Sequence, residues 1–251
     1  MAVFDKAVFV MAKDEGYFLP KWIAYYKQFF KPEDIYVLDH QSSDGSTQGL
    51  DVNVIPVENE VAVDHNWIVQ TIKNQQQELL KSYKSVLFAE SDEIVYPLYQ
   101  PLDQYIDWFN DAEYDYVTCI GHEMMQNRDT EPALSDEEEI LPKRNHWFRH
   151  PLYDKTLLSK VPLNWAWGFH SQEKQNVFKR GLHLLHLHRH DFEMMLRRHE
   201  MRVAKWKIKD DGNASYQFKL SSREEVEKYF YEQCKSPQTI PPEHKAAIRG
   251  I

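Results

Sequence analysis

The chain is organised around the segment Val86-Leu87-Phe88-Ala89-Glu90-Ser91-Asp92-Glu93-Ile94. Its first four apolar residues predict a strand that is buried on both faces, as in a parallel sheet. Three carboxylates follow at once, at the strand end where open α/β sheets bind their ligands. In an extended chain, Glu90 and Asp92 would point to the same side. Because hard divalent cations prefer oxygen ligands, we expect a cation site here. The alternative is a solvated acidic turn.

Length and composition limit the class of protein. The 251 residues suffice for one large α/β domain, and we expect a single domain over residues 1–251. The net charge of −9 argues against nucleic acid as a partner. The two cysteines form neither a disulfide framework nor a zinc pair and suit a reducing compartment. No stretch reaches membrane-spanning length, so we expect a cytoplasmic protein and allow only for peripheral contact with a membrane.

The hydrophobic pattern predicts alternating strands and helices. Strands at residues 7–12 and 35–38 flank a helix at 18–30, which makes a right-handed strand–helix–strand unit with parallel strands. Further strands are predicted at residues 52–57, 86–89, 116–120 and 182–188. Further helices are predicted at residues 64–83, from 101, at 192–205 and at 223–234. The Gly-x-Gly-x-x-Gly fingerprint is missing after the first strand, which disfavours a nicotinamide or flavin enzyme.

Ordered motifs in the first hundred residues carry a family resemblance. They are Val10-Met11-Ala12-Lys13-Asp14-Glu15-Gly16, Trp22-Ile23-Ala24-Tyr25-Tyr26, Tyr36-Val37-Leu38-Asp39-His40-Gln41-Ser42-Ser43-Asp44 and Phe88-Ala89-Glu90-Ser91-Asp92-Glu93-Ile94. In this order they resemble the family-2-like glycosyltransferases, and most closely the branch called family 92 (DUF23-type). The resemblance implies the α/β GT-A fold, with a mostly parallel central sheet flanked by helices. Residues 1–100 would then form the nucleotide-sugar-binding half and residues 101–251 the acceptor-binding half.

The same resemblance implies an activity and a donor site. The enzyme would move a hexosyl or related group from a nucleotide-diphosphate sugar, UDP-sugar above all, to a hydroxyl of a glycan acceptor, in surface polysaccharide synthesis. It would use Mn²⁺ or Mg²⁺, and Glu90 and Asp92 match the two carboxylates of the family's Asp-x-Asp motif. Glu90 is one methylene longer than the family's residue, so Asp92 is the stronger metal ligand. The expected donor-binding set is Ala12, Lys13, Glu15, Asp39, Ser42, Glu90 and Ser91.

Several histidines stand late in the chain, and two of them would share one face of a strand, namely His186 and His188. Resemblance to the family implies that a histidine from this half completes the metal shell, and we place His188 ahead of His186. For His183 and His190 we expect packing or capping. The segment therefore predicts one imidazole ligand to the ion held by Asp92.

An aromatic segment in the second half predicts the acceptor site. Sugars pack their C–H faces on indole rings, and their hydroxyls need polar partners. We therefore expect Trp165, Trp167 and His170 to bind the acceptor, although the tryptophans could instead belong to the core. If the transfer inverts the anomeric centre, a general base is needed, and the candidates are Glu123 and His170.

Two other classes compete with this interpretation. The run His186-x-His188-x-His190-Asp191 resembles the metal-binding run of metallo-β-lactamase-type hydrolases, with the last two residues in the wrong order. A catalytically inactive sugar-nucleotide-binding protein is the other alternative, and Glu90 is the feature that favours it. A metallohydrolase would leave the motifs of the first hundred residues unexplained.

Overall fold

The computed structural model describes residues 4–210 and 212–251, without the side chains of residues 213–215. Its strands are β1 (Phe4–Ala12), β2 (Ile35–Asp39), β3 (Asn53–Pro56), β4 (Tyr83–Phe88), β5 (Glu93–Pro97), β6 (Tyr116–Thr118), β7 (Ile120–Met125), β8 (His146–Arg149), β9 (Thr156–Ser159), β10 (Leu182–Arg189) and β11 (Gln238–Thr239). Its α-helices are α1 (Phe18–Tyr26), α2 (His65–Leu79), α3 (Leu102–Asp111), α4 (Phe192–Lys205), α5 (Arg223–Phe230) and α6 (Pro242–Ala247).

The larger sheet has six strands in the order β3-β2-β1-β4-β9-β6. The first four are parallel, and β9 runs antiparallel to β4 and β6. Helices α2 and α3 pack against β4, and Val86, Leu87 and Phe88 are buried. The predicted α/β class with a mostly parallel central sheet flanked by helices is confirmed. The carboxyl ends of β1, β2 and β4 meet at one edge, where such sheets bind ligands.

The smaller sheet has five strands in the order β11-β8-β7-β10-β5. In its centre, β10 pairs in parallel with β7 and antiparallel with β5. The predicted strand at residues 116–120 is in fact two strands in different sheets. They separate at Cys119, whose backbone amide donates to the carbonyl of Lys155 at 2.8 Å.

The acidic segment after β4 is a turn, so the prediction of an extended chain was wrong. The amide of Glu93 donates to the carbonyl of Glu90 at 3.0 Å, which closes the turn and sends the chain into the smaller sheet. Glu90 and Asp92 therefore do not share a face as strand residues would. The sequence did not predict β5, because this buried strand begins with a charged residue, Glu93.

Helix starts agree better with the predictions than helix ends. Asp64 caps α2 by accepting hydrogen bonds from the amides of Asn66 and Trp67, as its residue type predicts. Asp191 caps α4 in the same way at the amide of Met194. The first two helices end several residues before the predicted positions. Within the described ranges, no helix has the length and apolar character to cross a membrane.

Candidate active site

A pocket of about 360 Å³ opens at the carboxyl ends of β1 and β4. Residues from both sheets and from α4 line it. The charged and polar side chains that line it include those of Lys13, Glu15, Glu90, Ser91, Asp92, Lys155, His170, His186, His188, Arg198 and Arg202. The structure thus brings the carboxylates after β4 together with the histidines of β10, as the sequence predicts.

Asp92 lies at the centre of this charged set. Its Oδ2 accepts a hydrogen bond from the Arg198 guanidinium at 2.5 Å, and its Oδ1 lies 3.7 Å from Nε2 of His186. Burial alone would favour the protonated acid, but Arg198 and the nearby histidines hold the pKa of Asp92 well below its usual range. Asp92 is therefore an ionised carboxylate with one strongly bound oxygen.

His186 is oriented by Glu123, which lies behind it. Nδ1 of His186 donates to Oε2 of Glu123 at 2.6 Å, so Nε2 is the atom that faces Asp92. Burial would lower the pKa of His186, but the charges of Glu123 and Asp92 outweigh it and raise the pKa to about 9. Glu123 is fully buried and also accepts from the amide of Arg189. Its carboxylate is enclosed and positions an imidazole, which disfavours Glu123 as the general base, and that role stays a prediction.

His188 shares the face of His186, as predicted, with ring centroids 5.9 Å apart and nearly parallel planes. Its Nε2 is buried and finds no hydrogen-bonding partner among the described residues. Burial first, and then the charge of Arg189, hold the pKa of His188 well below its usual range. His188 is therefore a neutral imidazole whose Nε2 is available to a ligand.

Glu90 is tied to a lysine that no sequence pattern singles out. Nζ of Lys155 lies 2.6 Å from a carboxylate oxygen of Glu90 and 2.6 Å from one of Glu93. The amide of Glu90 also donates to Glu93 at 2.9 Å. Glu90 and Asp92 therefore have different cationic partners. Metal ligation by Glu90 stays a prediction.

The turn after β1 supplies Lys13 and Glu15 to the pocket. Lys13 donates to the carbonyls of His40 and Gln41, at 2.9 and 3.1 Å. Glu15 accepts from Arg198 and Arg202 at 2.7 Å. These two arginines of α4 were not predicted as site residues. Their spacing of four positions on a predicted helix was the signal that could have found them.

Three other predicted donor residues have turn-forming or core positions. Asp39 accepts from the amide of Ser42 at 2.9 Å, and Ser42 in turn accepts from the amide of Asp14 at 3.1 Å. Ala12 is buried at the end of β1. None of the three belongs to the residues that line the pocket. Their contact with a nucleotide stays a prediction.

The two tryptophans have different environments. Trp165 is 2% exposed, packs against Phe88, and donates from its indole to the carbonyl of Thr156 at 2.8 Å. Trp165 therefore has a core position, as the alternative for the tryptophans predicts, and its burial disfavours contact with an acceptor. Trp167 is 44% exposed and donates to Asn66 at 2.8 Å. Trp167 therefore keeps a surface that an acceptor could contact.

His170 lines the pocket with one ring nitrogen already used. Nδ1 donates to the carbonyl of Leu152 at 2.6 Å, which leaves Nε2 as the acceptor atom. Loss of hydration, together with the charge of Lys155, lowers the pKa of His170 to about 4. A side chain at Gly168, whose φ is +69°, would meet the His170 ring at 2.7 Å, so glycine allows this arrangement.

The end of the histidine run is structural. His190 is buried and hydrogen-bonded through both nitrogens, to the carbonyl of Leu187 at 2.6 Å and to the hydroxyl of Tyr17 at 2.9 Å. Asp191 forms a buried ion pair with Arg144 at 2.7 Å. Both ring nitrogens of His190 are engaged in these bonds, which disfavours its use as a ligand in the metallohydrolase alternative.

The fit of a divalent ion rests on Asp92 and His188. In the described part of the chain, no group of three or more His, Cys, Asp or Glu side chains is placed to hold a metal ion. An ionised carboxylate and an imidazole with an unpartnered Nε2 do line the same pocket. This set fits a hard ion that takes its remaining ligands from the phosphates of a bound nucleotide and from water.

Comparison with known proteins gives only distant likenesses. No family model matches the chain, and no curated protein matches it. The glucosyl-3-phosphoglycerate synthase of Mycobacterium tuberculosis, in complex with Mn²⁺, uridine diphosphate and glucosyl-3-phosphoglycerate, is 15% identical with a TM-score of 0.32. That match covers 49% of this chain and 45% of the synthase. The mannose-1-phosphate geranyltransferase of Thermus thermophilus is 12% identical with a TM-score of 0.31, over 89% of this chain and 67% of that one.

The chain therefore spans less than half the length of the synthase that it resembles. Similarity at this level supports neither an activity nor a substrate, and neither likeness shows the family 92 branch. A function for this chain has to rest on the chemistry of the pocket itself.

Proposed function

We propose that this chain is a metal-dependent GT-A glycosyltransferase, which moves a sugar from a nucleoside diphosphate sugar to an acceptor hydroxyl. One observation carries the proposal: Asp92, after β4, meets His186 of β10 at 3.7 Å in a pocket at the carboxyl edge of the parallel strands. A donor of the UDP-sugar class and Mn²⁺ or Mg²⁺ belong to the proposal, as do a hexosyl group, a surface glycan as product and a cytoplasmic location.

The charges of the pocket suit a diphosphate leaving group. Lys13, Arg198 and Arg202 all line the pocket and carry positive charge. As the bond from the sugar to the diphosphate breaks, negative charge develops on the phosphate oxygens, and fixed positive groups stabilise it. Asp92 and His188 would hold the divalent ion, which when bound supplies further stabilisation of the same charge.

The acceptor side of the proposal rests on His170. Its Nε2 is unprotonated because Nδ1 donates to Leu152, so the ring can accept the proton of an acceptor hydroxyl. A pKa of about 4 keeps His170 neutral at physiological pH but makes it a weak base. Trp167, at its exposed position, is the remaining candidate for stacking on an acceptor sugar.

The test is a screen of nucleotide sugars for stabilisation of the fold and for turnover. A ligand that binds only the folded chain raises its melting temperature by mass action. We expect UDP with Mn²⁺ to raise the melting temperature, and chelator to reduce the effect. The proposal fails if nucleoside diphosphates give no shift with or without Mn²⁺, and hydrolysis of generic phosphoesters or lactams would favour a hydrolase instead.

A second candidate is a nucleotide-sugar-binding protein without transfer activity. The bond from Lys155 to Glu90 favours this candidate, because Lys155 occupies the carboxylate that matches the first aspartate of the Asp-x-Asp motif. Tight binding of a nucleotide sugar without release of nucleotide, across a panel of hydroxyl acceptors, would support this candidate over the transferase.

A further inference from the structure

Arg198 bridges two acidic residues from different parts of the chain. One nitrogen donates to Asp92 at 2.5 Å, and the other donates to both carboxylate oxygens of Glu15, at 2.7 and 2.8 Å. The Arg198 and Asp92 side chains are 11% and 10% exposed. Arg198 thus occupies the carboxylate that the proposed function assigns to a divalent ion.

Each of the two arginines has a donor group that finds no partner among the described residues. Glu15 is shared, because Arg202 donates to the oxygen that also accepts from Arg198. The Nε–H groups of Arg198 and Arg202 are buried and have no acceptor in the ranges that the structure describes. A buried donor without an acceptor costs free energy, so these groups favour an anion in the adjoining pocket. Phosphate oxygens are the acceptors that guanidinium groups match best.

We propose that Arg198 is a diphosphate-binding residue that holds Asp92 until the donor arrives. This inference rests on the proposed function. A buried carboxylate does not lose its cationic partner without a replacement, because the uncompensated charge is costly. Transfer of Arg198 from Asp92 to the diphosphate supplies an acceptor for its free Nε–H and leaves Asp92 to the divalent ion. In the absence of nucleotide, Arg198 competes with the ion for Asp92.

The discriminating measurement is Mn²⁺ binding without nucleotide. Mn²⁺ and UDP will bind synergistically through direct contact alone, so synergy in the natural protein is expected but not decisive. In Arg198→Gln, Asp92 has lost the guanidinium on Oδ2 and keeps His186 at 3.7 Å from Oδ1. We expect calorimetry with Mn²⁺ alone to show at least about tenfold tighter binding, within the usual range of site coupling. The same variant should bind UDP more weakly, and its Mn²⁺–UDP synergy should shrink.

Arg202→Gln is the matched control. It removes the same charge from the same helix and the same pocket, but Arg202 bonds Glu15 rather than Asp92. We expect it to weaken UDP binding while leaving the affinity for Mn²⁺ alone within about twofold, because Arg202 donates to Glu15 and makes no hydrogen bond to Asp92 among the described residues. Circular dichroism and urea unfolding of each variant confirm that it is folded. If Arg198→Gln does not fold, Arg198→Lys replaces it, since a lysine cannot bridge Asp92 and Glu15 as the planar guanidinium does.

The outcomes separate the two proposals. If UDP binds with Mn²⁺ but Arg198→Gln leaves the affinity for Mn²⁺ alone unchanged, Arg198 is not a competitor and this inference is overturned while the transferase stands. An equal increase in the affinity for Mn²⁺ alone in Arg198→Gln and Arg202→Gln also overturns this inference, because the increase then reflects the change in net charge. Failure of the natural protein to bind any nucleoside diphosphate overturns the proposed function itself.

Discussion

Nζ of Lys155 lies 2.6 Å from Oε1 of Glu93, and the two side chains are 2% and 0% exposed. Such a pair is a constraint rather than a large source of stability, because both ions lose their hydration. The costly change is the removal of only one of the two charges, which leaves the other buried without a partner. Burial raises the pKa of Glu93, and the charge of Lys155 opposes that rise, so Glu93 depends on Lys155 to stay ionised.

Lys155→Met should therefore destabilise the fold by about 3–5 kcal/mol, the usual cost of an uncompensated buried charge. The free energy of unfolding in urea measures it. The double variant Lys155→Met/Glu93→Gln should recover part of the loss, since the unpaired charge is gone. Lys84→Met, which breaks an exposed pair with Asp5, serves as control and should change the free energy of unfolding far less. Equal losses in both lysine variants would contradict the prediction.

Because of His186, the free energy of unfolding should fall as the pH becomes alkaline. Its folded pKa of about 9 lies above the ordinary value of 6.5, so its contribution is complete below pH 6.5 and is lost as the pH rises to 9. By linkage this amounts to at most about 3 kcal/mol. Urea unfolding at pH 6.5, 7.5, 8.5 and 9.5 should show a steeper loss for the natural chain than for His186→Gln. Parallel curves would show that His186 is not charged in the folded state.

Asp92→Asn should leave the fold intact and reduce transfer by at least about 100-fold, because the amide cannot supply charge to the ion. Turnover and Mn²⁺ affinity are measured in the presence of UDP-sugar, with melting temperature as the check on folding. Asp107→Asn is the control, as Asp107 lies on α3 in an exposed pair with Lys6. Full activity in Asp92→Asn would remove the central residue of the proposed mechanism.

The two tryptophans should respond differently to alanine. Trp165→Ala leaves a cavity in the core and removes the hydrogen-bond donor to the carbonyl of Thr156. We therefore expect a loss of about 3–5 kcal/mol in the free energy of unfolding. Trp167→Ala removes an exposed side chain and should change stability by less than about 1 kcal/mol, while raising the KM for the acceptor. An unchanged KM together with unchanged stability would exclude Trp167 from the acceptor site.

The strands of the larger sheet could be predicted because their sequence and their environment agree. Residues 7–12 and 86–88 are continuous apolar runs, and all of these residues except the partly buried Met11 are buried in the sheet. The role of Asp64 as the cap of α2 could also be predicted, because capping depends on only a few neighbouring atoms. Asp92 could be placed at the site because it follows β4 at the carboxyl edge of the larger sheet, whereas His186 lies in the smaller sheet and was placed beside it by the family resemblance.

The rest of the site could not be predicted from local patterns. Lys155 lies in no motif, and its role depends on Glu90 and Glu93, which are distant in sequence. Glu93 begins a strand as a buried carboxylate, against the preference of its residue type. Trp165 and Trp167 are two positions apart, yet one is in the core and the other at the surface. These outcomes are set by tertiary contacts, which local sequence does not encode.

The strands exchanged between the two sheets bear on how the chain unfolds. β9, from the second half of the sequence, completes the larger sheet beside β4, and β5, from the first half, closes the smaller sheet beside β10. A fragment cut near residue 100 would therefore expose unpaired strand edges on both pieces. Residues 1–100 and 101–251 are therefore not exchangeable modules, and heat or urea should melt them in one cooperative transition.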